Sequence, residues 1–331
     1  MKRTTLALLT VAALALTGCA TGGGDNGDGD SADGNTITHA FGETTVPEGV
    51  ERIVTIGWGS TEAVLSLGLV PVGIEEQVYG GNEDRVVPWV AEEIERMGAE
   101  MPTIFPTSAE EPAYEEILEL EPEVILAPYS GLTQEQYEVL SDIAPTVAFP
   151  DEAWTTPWRD VVRIVGESLG LGEEAEEVIA DAETAVAEQA AAHPELEGRT
   201  VAAIWDGAGV FYVYRAADPR VEFLFDLGLE NAPAVDELAN GESTFYYTLS
   251  YEQLDLLEAD IVVNYATTQE EADAFLAQPY AQAIPAVARG SVATIVGESL
   301  ISSVSPPSPL SLAWGVEDYV TLISEAASNL E

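Results

Sequence analysis

Residues suited to covalent chemistry are scarce in this chain. Among 331 residues there are two His, at 39 and 193, and one Cys, at 19. Neither His stands in an evident arrangement with a nucleophile or a carboxylate, and His193 precedes Pro194 at a helix end. Gly57-Trp58-Gly59-Ser60-Thr61 lacks the Gly-x-Ser-x-Gly spacing of a nucleophile turn. Asp and Glu number 59, so no single pair of carboxylates points to acid–base catalysis. Capture of Zn or Mn calls for several His, and one Cys excludes a disulfide framework or a Cys-based metal site. These features predict a protein that is not an enzyme and has no resident cofactor or metal.

What recurs instead is Trp, Tyr and Arg at the ends of apolar runs. In open parallel α/β sheets, ligands sit beyond the carboxyl ends of the strands. That rule nominates Trp58 and Ser60 after the run ending at Ile56, Arg85 after Val70–Ile74, and Tyr129 after Val124–Ala127. In the second half it nominates Trp205, Arg215 after Val210–Tyr214, and Tyr265 after Ile261–Asn264. Such a set suits non-covalent capture of a large ligand with an apolar frame and a few polar edges. Plainer roles exist for these types. Tyr212 and Tyr214 alternate along one strand, a lone Arg among acids makes ion pairs, and Trp154, Trp158 and Trp314 suit helix packing.

The elements that must position these residues form a coarse internal repeat. Arg52–Ile56 reads as a buried strand followed by a helical stretch ending in Leu67-Gly68-Leu69; Val201–Trp205 is a strand followed later by a stretch ending in Leu227-Gly228-Leu229. Gly in each triplet suits a helix C-terminus. A second echo pairs Tyr114-Glu115-Glu116-Ile117 before Val124-Ile125-Leu126 with Tyr251-Glu252-Gln253-Leu254 before Ile261-Val262-Val263. Two echoes in one order predict two similar α/β lobes. Further strands are expected at Val70–Ile74, Thr146–Phe149, Val210–Tyr214 and Val292–Val296, in mostly parallel sheets covered on both faces. Between the halves, one helix starts with Thr156 as N-cap and Pro157 as its first residue, and a second runs from about Glu173 to His193.

Length and charge frame this reading. The chain is long for one core and suggests two domains of about 100–200 residues, and an apolar share of 47 % lets a sizeable core form. The formal charge of −48, from 11 basic residues against 59 acids, excludes a nucleic-acid binder held by phosphate contacts. The N-terminus carries an export pattern: Lys2 and Arg3, an apolar run from Leu6 to Leu16 too short to span a bilayer, then Leu16-Thr17-Gly18-Cys19. The last four residues resemble a lipobox, which implies diacylation of Cys19 and cleavage before it. At about 0.8 kcal/mol per buried CH₂, two or three acyl chains anchor firmly. The mature chain would then keep nine Arg and no Lys against 59 acids, a formal charge of −50. Thr21–Asn35, rich in Gly, Asp, Asn and Ser, reads as a flexible acidic tether.

Several runs together resemble one family, the lipid-anchored substrate-binding proteins of ABC importers for ferric siderophores, cobalamin and haem. The carriers are Val50-Glu51-Arg52-Ile53-Val54, the run Leu67 to Ile74, and Leu120-Glu121-Pro122-Glu123-Val124-Ile125-Leu126. Tyr129-Ser130-Gly131-Leu132, Ile143-Ala144-Pro145-Thr146-Val147 and Trp154 through Trp158-Arg159 most resemble the iron–siderophore branch of actinobacteria, and Pro306-Pro307-Ser308-Pro309-Leu310-Ser311 also fits that branch. No one motif is diagnostic; their order over residues 36 to 328 carries the resemblance.

The resemblance implies two α/β lobes joined by one rigid helix, with ligand in the cleft between them and small opening motions. The expected division is a signal peptide over 1–18, a tether over 19–35, a first lobe over 36–155, an inter-lobe helix over 156–171 and a second lobe over 172–331. It also implies pocket Arg residues near Arg85, and permease docking through Glu115 and Glu252, one from each lobe. A two-fold permease would meet each lobe alike. The expected partners are a ferric siderophore and a permease dimer with cytoplasmic ATPase subunits. The protein is expected as a monomer on the outer face of the cytoplasmic membrane of a Gram-positive bacterium, held by lipid alone. Iron tricatecholates are strongly anionic and trihydroxamates neutral or cationic. A −50 protein repels the former, although charges beyond about 8 Å are screened at physiological salt. A hydroxamate-type siderophore is therefore favoured, with cobalamin, haem or direct ferric-ion binding as the alternatives.

Overall fold

A computed structural model describes residues 34–108 and 111–330; the signal segment, Cys19 and nearly all of the tether lie outside the described residues. The chain enters through a hairpin, β1 (Gly34–His39) and β2 (Gly42–Pro47). The first sheet then uses β3 (Ile53–Thr55), β4 (Gly73–Glu75), β5 (Thr103–Phe105), β6 (Val124–Leu126) and β7 (Thr146–Val147). Its order is β5-β4-β3-β6-β7 and every pair is parallel. The connections are α1 (Ser60–Ser66), α2 (Pro88–Met97), α3 (Tyr114–Glu119) and α4 (Gln134–Ile143). Because side chains alternate along a strand, Val54 and Ile125 join Ile117 and Leu140 in one core, while Ile53, Val124 and Leu126 join α1 in another.

Two helices follow, α5 (Trp158–Ser168) and α6 (Gly172–Ala192). The expected start of α5 is corrected here. Pro157 has an extended ψ of 146° and occupies the N-cap, and the buried Thr156 donates its hydroxyl to Pro128 O at 2.6 Å rather than capping the helix.

The second sheet comprises β8 (Thr200–Gly207), β9 (Val210–Tyr214), β10 (Glu230–Asn231), β11 (Tyr246–Leu249), β12 (Ile261–Ala266) and β13 (Val292–Val296). Its order is β11-β9-β8-β12-β13, with β10 on β8. Helices α7 (Pro219–Asp226), α8 (Pro233–Glu237), α9 (Gln269–Leu276), α10 (Pro285–Ala288), α11 (Glu298–Ser302) and α12 (Pro309–Ala327) surround it. The two sheets are mostly parallel, as expected; the exception is β9, which runs antiparallel to both β8 and β11. The cause is local: Ala208 and Gly209 both have positive φ, 53° and 80°, which closes a two-residue hairpin between β8 and β9.

Both sequence echoes have structural counterparts. Gly68 and Gly228 sit in the left-handed region. In each case Gly N–H bonds three residues back and the following Leu bonds five back (Leu69 to Val64, Leu229 to Leu224), which is the Schellman arrangement. Likewise α3 leads into β6 beside the central β3, and a 3₁₀ turn over Tyr251–Leu256 leads into β12 beside the central β8.

A single apolar core crosses from one sheet to the other. It contains Ile53 and Leu126 of the first, Val162 and Val165 of α5, and Ala203, Tyr265 and Ile295 of the second. Helix α12 also spans the two halves, packing on α1, α2 and β13, and Trp314 meets Trp89 of α2 with ring centroids 5.4 Å apart.

Candidate functional site

The loops at the carboxyl ends of the first sheet are held by close backbone contacts. Gly57, with φ +81°, donates its N–H to Glu75 Oε2 at 2.8 Å, and a Cβ there would stand 2.2 Å from Tyr129 O. Only glycine admits both the angle and the approach. Trp58 N–H then donates to Tyr129 O, which ties the loops after β3 and β6 together. This fixes an aromatic cluster: Trp58 lies edge-on to Trp154 at 6.3 Å, and Trp154 edge-on to Tyr129 at 5.8 Å. Gly131 makes room for the Trp154 indole, which any Cβ there would strike at about 2.5 Å.

The second sheet supplies the facing side, backed by a buried ion pair next to the lining residues Ala217 and Pro219. Asp218 caps α7 by accepting from Arg220 N–H, and its two oxygens accept from Arg220 Nε at 2.8 Å and Nη2 at 2.7 Å. The guanidinium lies over the Tyr214 ring at 3.7 Å and 5.5 Å from the Tyr265 ring. Burial opposes its charge, but the Asp218 carboxylate outweighs that and holds Arg220 firmly protonated. The Arg220 charge is felt by the phenols of Tyr79 and Tyr129 in the first lobe. Burial pushes the Tyr129 phenol up to about 12, and it also raises Tyr79, whose buried hydroxyl has no hydrogen-bond partner.

Between the walls is a cavity of about 530 Å³, lined by Tyr129, Trp154 and Trp158 on one side and Phe223, Phe245 and Pro307 on the other. A narrow crevice lined by Trp58, Tyr79 and Pro306 adjoins it. The arrangement suits holding an apolar-framed ligand by ring faces and a few donors. Among the described residues there is no group of three or more His, Cys, Asp or Glu placed to hold a metal ion.

The structure separates the residues nominated from sequence. Trp58, 37 % exposed, and Tyr129, 6 % exposed, face the cleft region. Ser60 is fully buried at the start of α1 and donates to Ile56 O, so it leaves the set. Arg85 is paired with Glu76 at 2.6 Å on an exposed loop. Trp205 is half-buried, its indole N–H donating to Glu271 at 3.3 Å. Arg215, one residue beyond Tyr214, falls on the opposite side of the sheet, where Nη1 donates to Ser243 O and its charge reaches the buried Tyr247. Tyr265 is 1 % exposed, with its hydroxyl bonded to Tyr319 Oη at 2.8 Å, and belongs to the core. Glu115 and Glu252 are both exposed and occupy matching places, each the second residue of its short helix.

Sequence reasoning missed Tyr79 and Arg220. For Arg220 a signal existed: Asp218-Pro219 is an N-cap followed by a first-turn Pro, which sets the next side chain in the first helical turn beside the capping carboxylate.

Residues 53–298 match the family model described as periplasmic binding protein. Over 232 residues the chain is 27 % identical to the "Probable siderophore-binding lipoprotein YfiY" of Bacillus subtilis (strain 168), covering 69 % of this chain and 67 % of that one. It is 25 % identical over 222 residues to the Fe(3+)-citrate-binding protein YfmC of the same organism, covering 67 % and 65 %. Among solved structures, PiaA of Streptococcus pneumoniae TIGR4 in complex with ferrichrome superposes with a TM-score of 0.79 at 33 % identity, covering 89 % of this chain and 99 % of PiaA.

Proposed function

The chain belongs to the periplasmic binding protein family, and on that premise we propose that it captures a ferric siderophore, of hydroxamate type, and delivers it to an ABC permease. Its relatives are substrate-binding proteins rather than enzymes, and so is this chain. The observation that carries the ligand reading is the make-up of the cleft. Aromatic faces dominate it, and the one guanidinium that lines it, Arg159, is already paired with Glu183 and Asp226. A strongly anionic tricatecholate would find little uncompensated positive charge there, whereas a neutral or cationic trihydroxamate needs none. The names of YfiY and YfmC and the ferrichrome complex of PiaA support an iron chelate as cargo.

In this reading the mature protein begins at a lipidated Cys19 and works as a monomer at the outer face of the cytoplasmic membrane. The division into a signal over 1–18, a tether over 19–35, lobes over 36–155 and 172–331 and a connecting helix over 156–171 goes with it. Capture involves no bond making. Glu115 and Glu252 dock the two lobes on Arg residues of a permease dimer, and ATP hydrolysis by separate cytoplasmic subunits drives transport. The core continuous through α5 and α12 favours small lobe motions on binding.

The test is quenching of tryptophan fluorescence on titration with ferrioxamine, ferric enterobactin, cyanocobalamin, haemin and ferric citrate, corrected for ligand absorbance. The expected result is saturable quenching by the ferric trihydroxamate at sub-micromolar concentration. Response to cobalamin or haemin alone would move the substrate, and response to ferric enterobactin alone would overturn the hydroxamate class. For docking, Ala at Glu115 and Glu252 should abolish cellular uptake of the bound chelate while its affinity stays unchanged.

A further inference from the structure

Ferric hydroxamates can be neutral or cationic, and the cleft carries an observation that bears on which is taken. Three carboxylates, Glu152, Glu222 and Asp226, line the 530 Å³ cavity, against a single cation, Arg159. Arg159 is already committed: its Nε donates to Glu183 at 2.6 Å, its Nη2 to Asp226 at 3.2 Å, and its guanidinium lies 4.5 Å over the Trp158 ring. Glu152 and Glu222 have no ion-pair partner among the described residues. Acids are common on this surface, and solvated ones ask for nothing. Glu152 and Glu222 are themselves exposed, but they share a cavity wall with indole rings and with Tyr129. That side chain is 6 % exposed, lines the same cavity, and its hydroxyl makes no hydrogen bond among the described residues. Partial burial and the neighbouring Asp226 and Asp218 charges raise the Glu222 carboxyl above its ordinary value, with Arg159 acting only weakly against them. A carboxylate in that position is relieved by a cation.

We propose that this side of the cleft is a cation seat, selecting ferric chelates that carry a pendant ammonium or similar positive group, held between the Glu152 and Glu222 carboxylates, the Tyr129 hydroxyl and the Trp154 ring. The inference rests on the ferric-hydroxamate reading and refines it. An ammonium gains charge-assisted hydrogen bonds from the carboxylates and phenol and attraction to an indole face. A neutral chelate of the same shape gains neither.

Two probes isolate the charge: ferrioxamine B, which has a free primary ammonium, and its N-acetylated form, the same iron trihydroxamate without it. Affinities are measured by fluorescence quenching at low salt and at high salt. The ammonium form should bind roughly tenfold more tightly at low salt, the size expected for one partly screened ion pair at a protein surface. That ratio should shrink at high salt and fall below about threefold in the Glu152→Gln/Glu222→Gln double variant. Equal affinities in the unaltered protein, or an undiminished ratio in the double variant, would overturn the cation seat while leaving the siderophore reading in place. Binding of neither probe would overturn the hydroxamate reading, and the seat with it.

Discussion

Substituting Asp218 by Asn should cost the fold several kcal/mol, and more than removing its partner Arg220. Both side chains are largely shielded, at 5 % and 13 % exposure, and joined by two charge-assisted hydrogen bonds of 2.7 and 2.8 Å. Asn keeps the shape and one acceptor for the α7 cap, but turns an amide N–H₂ toward the guanidinium and leaves a buried charge uncompensated. Breaking a buried pair in this way costs about 3–5 kcal/mol. The stacking of Arg220 on Tyr214 at 3.7 Å is present before and after the change and so cancels from the difference. A loss of about 3–5 kcal/mol follows for Asp218→Asn. Arg220→Met should cost less, about 1–2 kcal/mol, because Asp218 retains the backbone N–H of residue 220 and the favourable N-terminal end of α7. The double variant Asp218→Asn/Arg220→Met removes both charges and should recover to within about 1 kcal/mol of the unaltered protein. Urea unfolding followed by circular dichroism gives all four values. Asp218→Asn unfolding within about 1 kcal/mol of the parent, or Arg220→Met proving the more costly, would refute the view of Asp218 and Arg220 as a desolvated, charge-matched pair. If the guanidinium also serves the ligand, the double variant should fold normally and bind more weakly.

Three further outcomes follow from the geometry. Tyr265→Phe should lower stability by about 1–2 kcal/mol, because it strands the buried Tyr319 hydroxyl, and should leave chelate affinity unchanged; a clear loss of affinity would return Tyr265 to the site. Gly57→Ala must abandon φ +81° or collide with Tyr129 O, so thermal melts should show a loss of more than about 2 kcal/mol together with altered fluorescence of the displaced Trp58; a parent-like melt and spectrum would contradict this. Glu62 is buried in α1, and desolvation raises its carboxyl above the ordinary 4.5 although Trp89 Nε1 donates to it at 3.0 Å. The folded state therefore holds this proton more tightly than the unfolded chain does. Its contribution is fully present below the unfolded value and is lost as pH rises through the folded one. Glu62→Gln, which keeps the acceptor for Trp89 without ionising, should gain on the parent in urea midpoint from about pH 4 to pH 8, and a constant difference would count against it.

How much of the site was legible in sequence depended on which rule applied. The rule that ligands lie beyond strand ends nominated Trp58 and Tyr129, which the structure places on the cavity and its adjoining crevice, because both follow short parallel strands whose direction is set by the helices between them. It misled at Arg215, because side chains alternate along β9 and the one after Tyr214 points to the other face of the sheet. It misled at Tyr265 because β12 continues to Ala266, two residues beyond the expected end, so the ring stays within the sheet. Arg220 was overlooked because its importance arises from Asp218, Tyr214 and Tyr265 together, and Tyr265 lies 45 residues further along the chain.

Local spacing and residue type determined what depends on near neighbours in the chain. They set the Gly-terminated helices ending at Leu67-Gly68-Leu69 and Leu227-Gly228-Leu229, the two helix-to-strand echoes that put Glu115 and Glu252 in matching places, the absence of a catalytic constellation, and the acidic character of the surface. Only the tertiary structure decided which aromatic and charged side chains share the cleft. A side chain's facing depends on strand direction and on the exact residue where a strand ends. Both are settled by packing between segments far apart in sequence, as when Trp154 is seated over Gly131 and Arg220 is pressed between Asp218 and the ring of Tyr214.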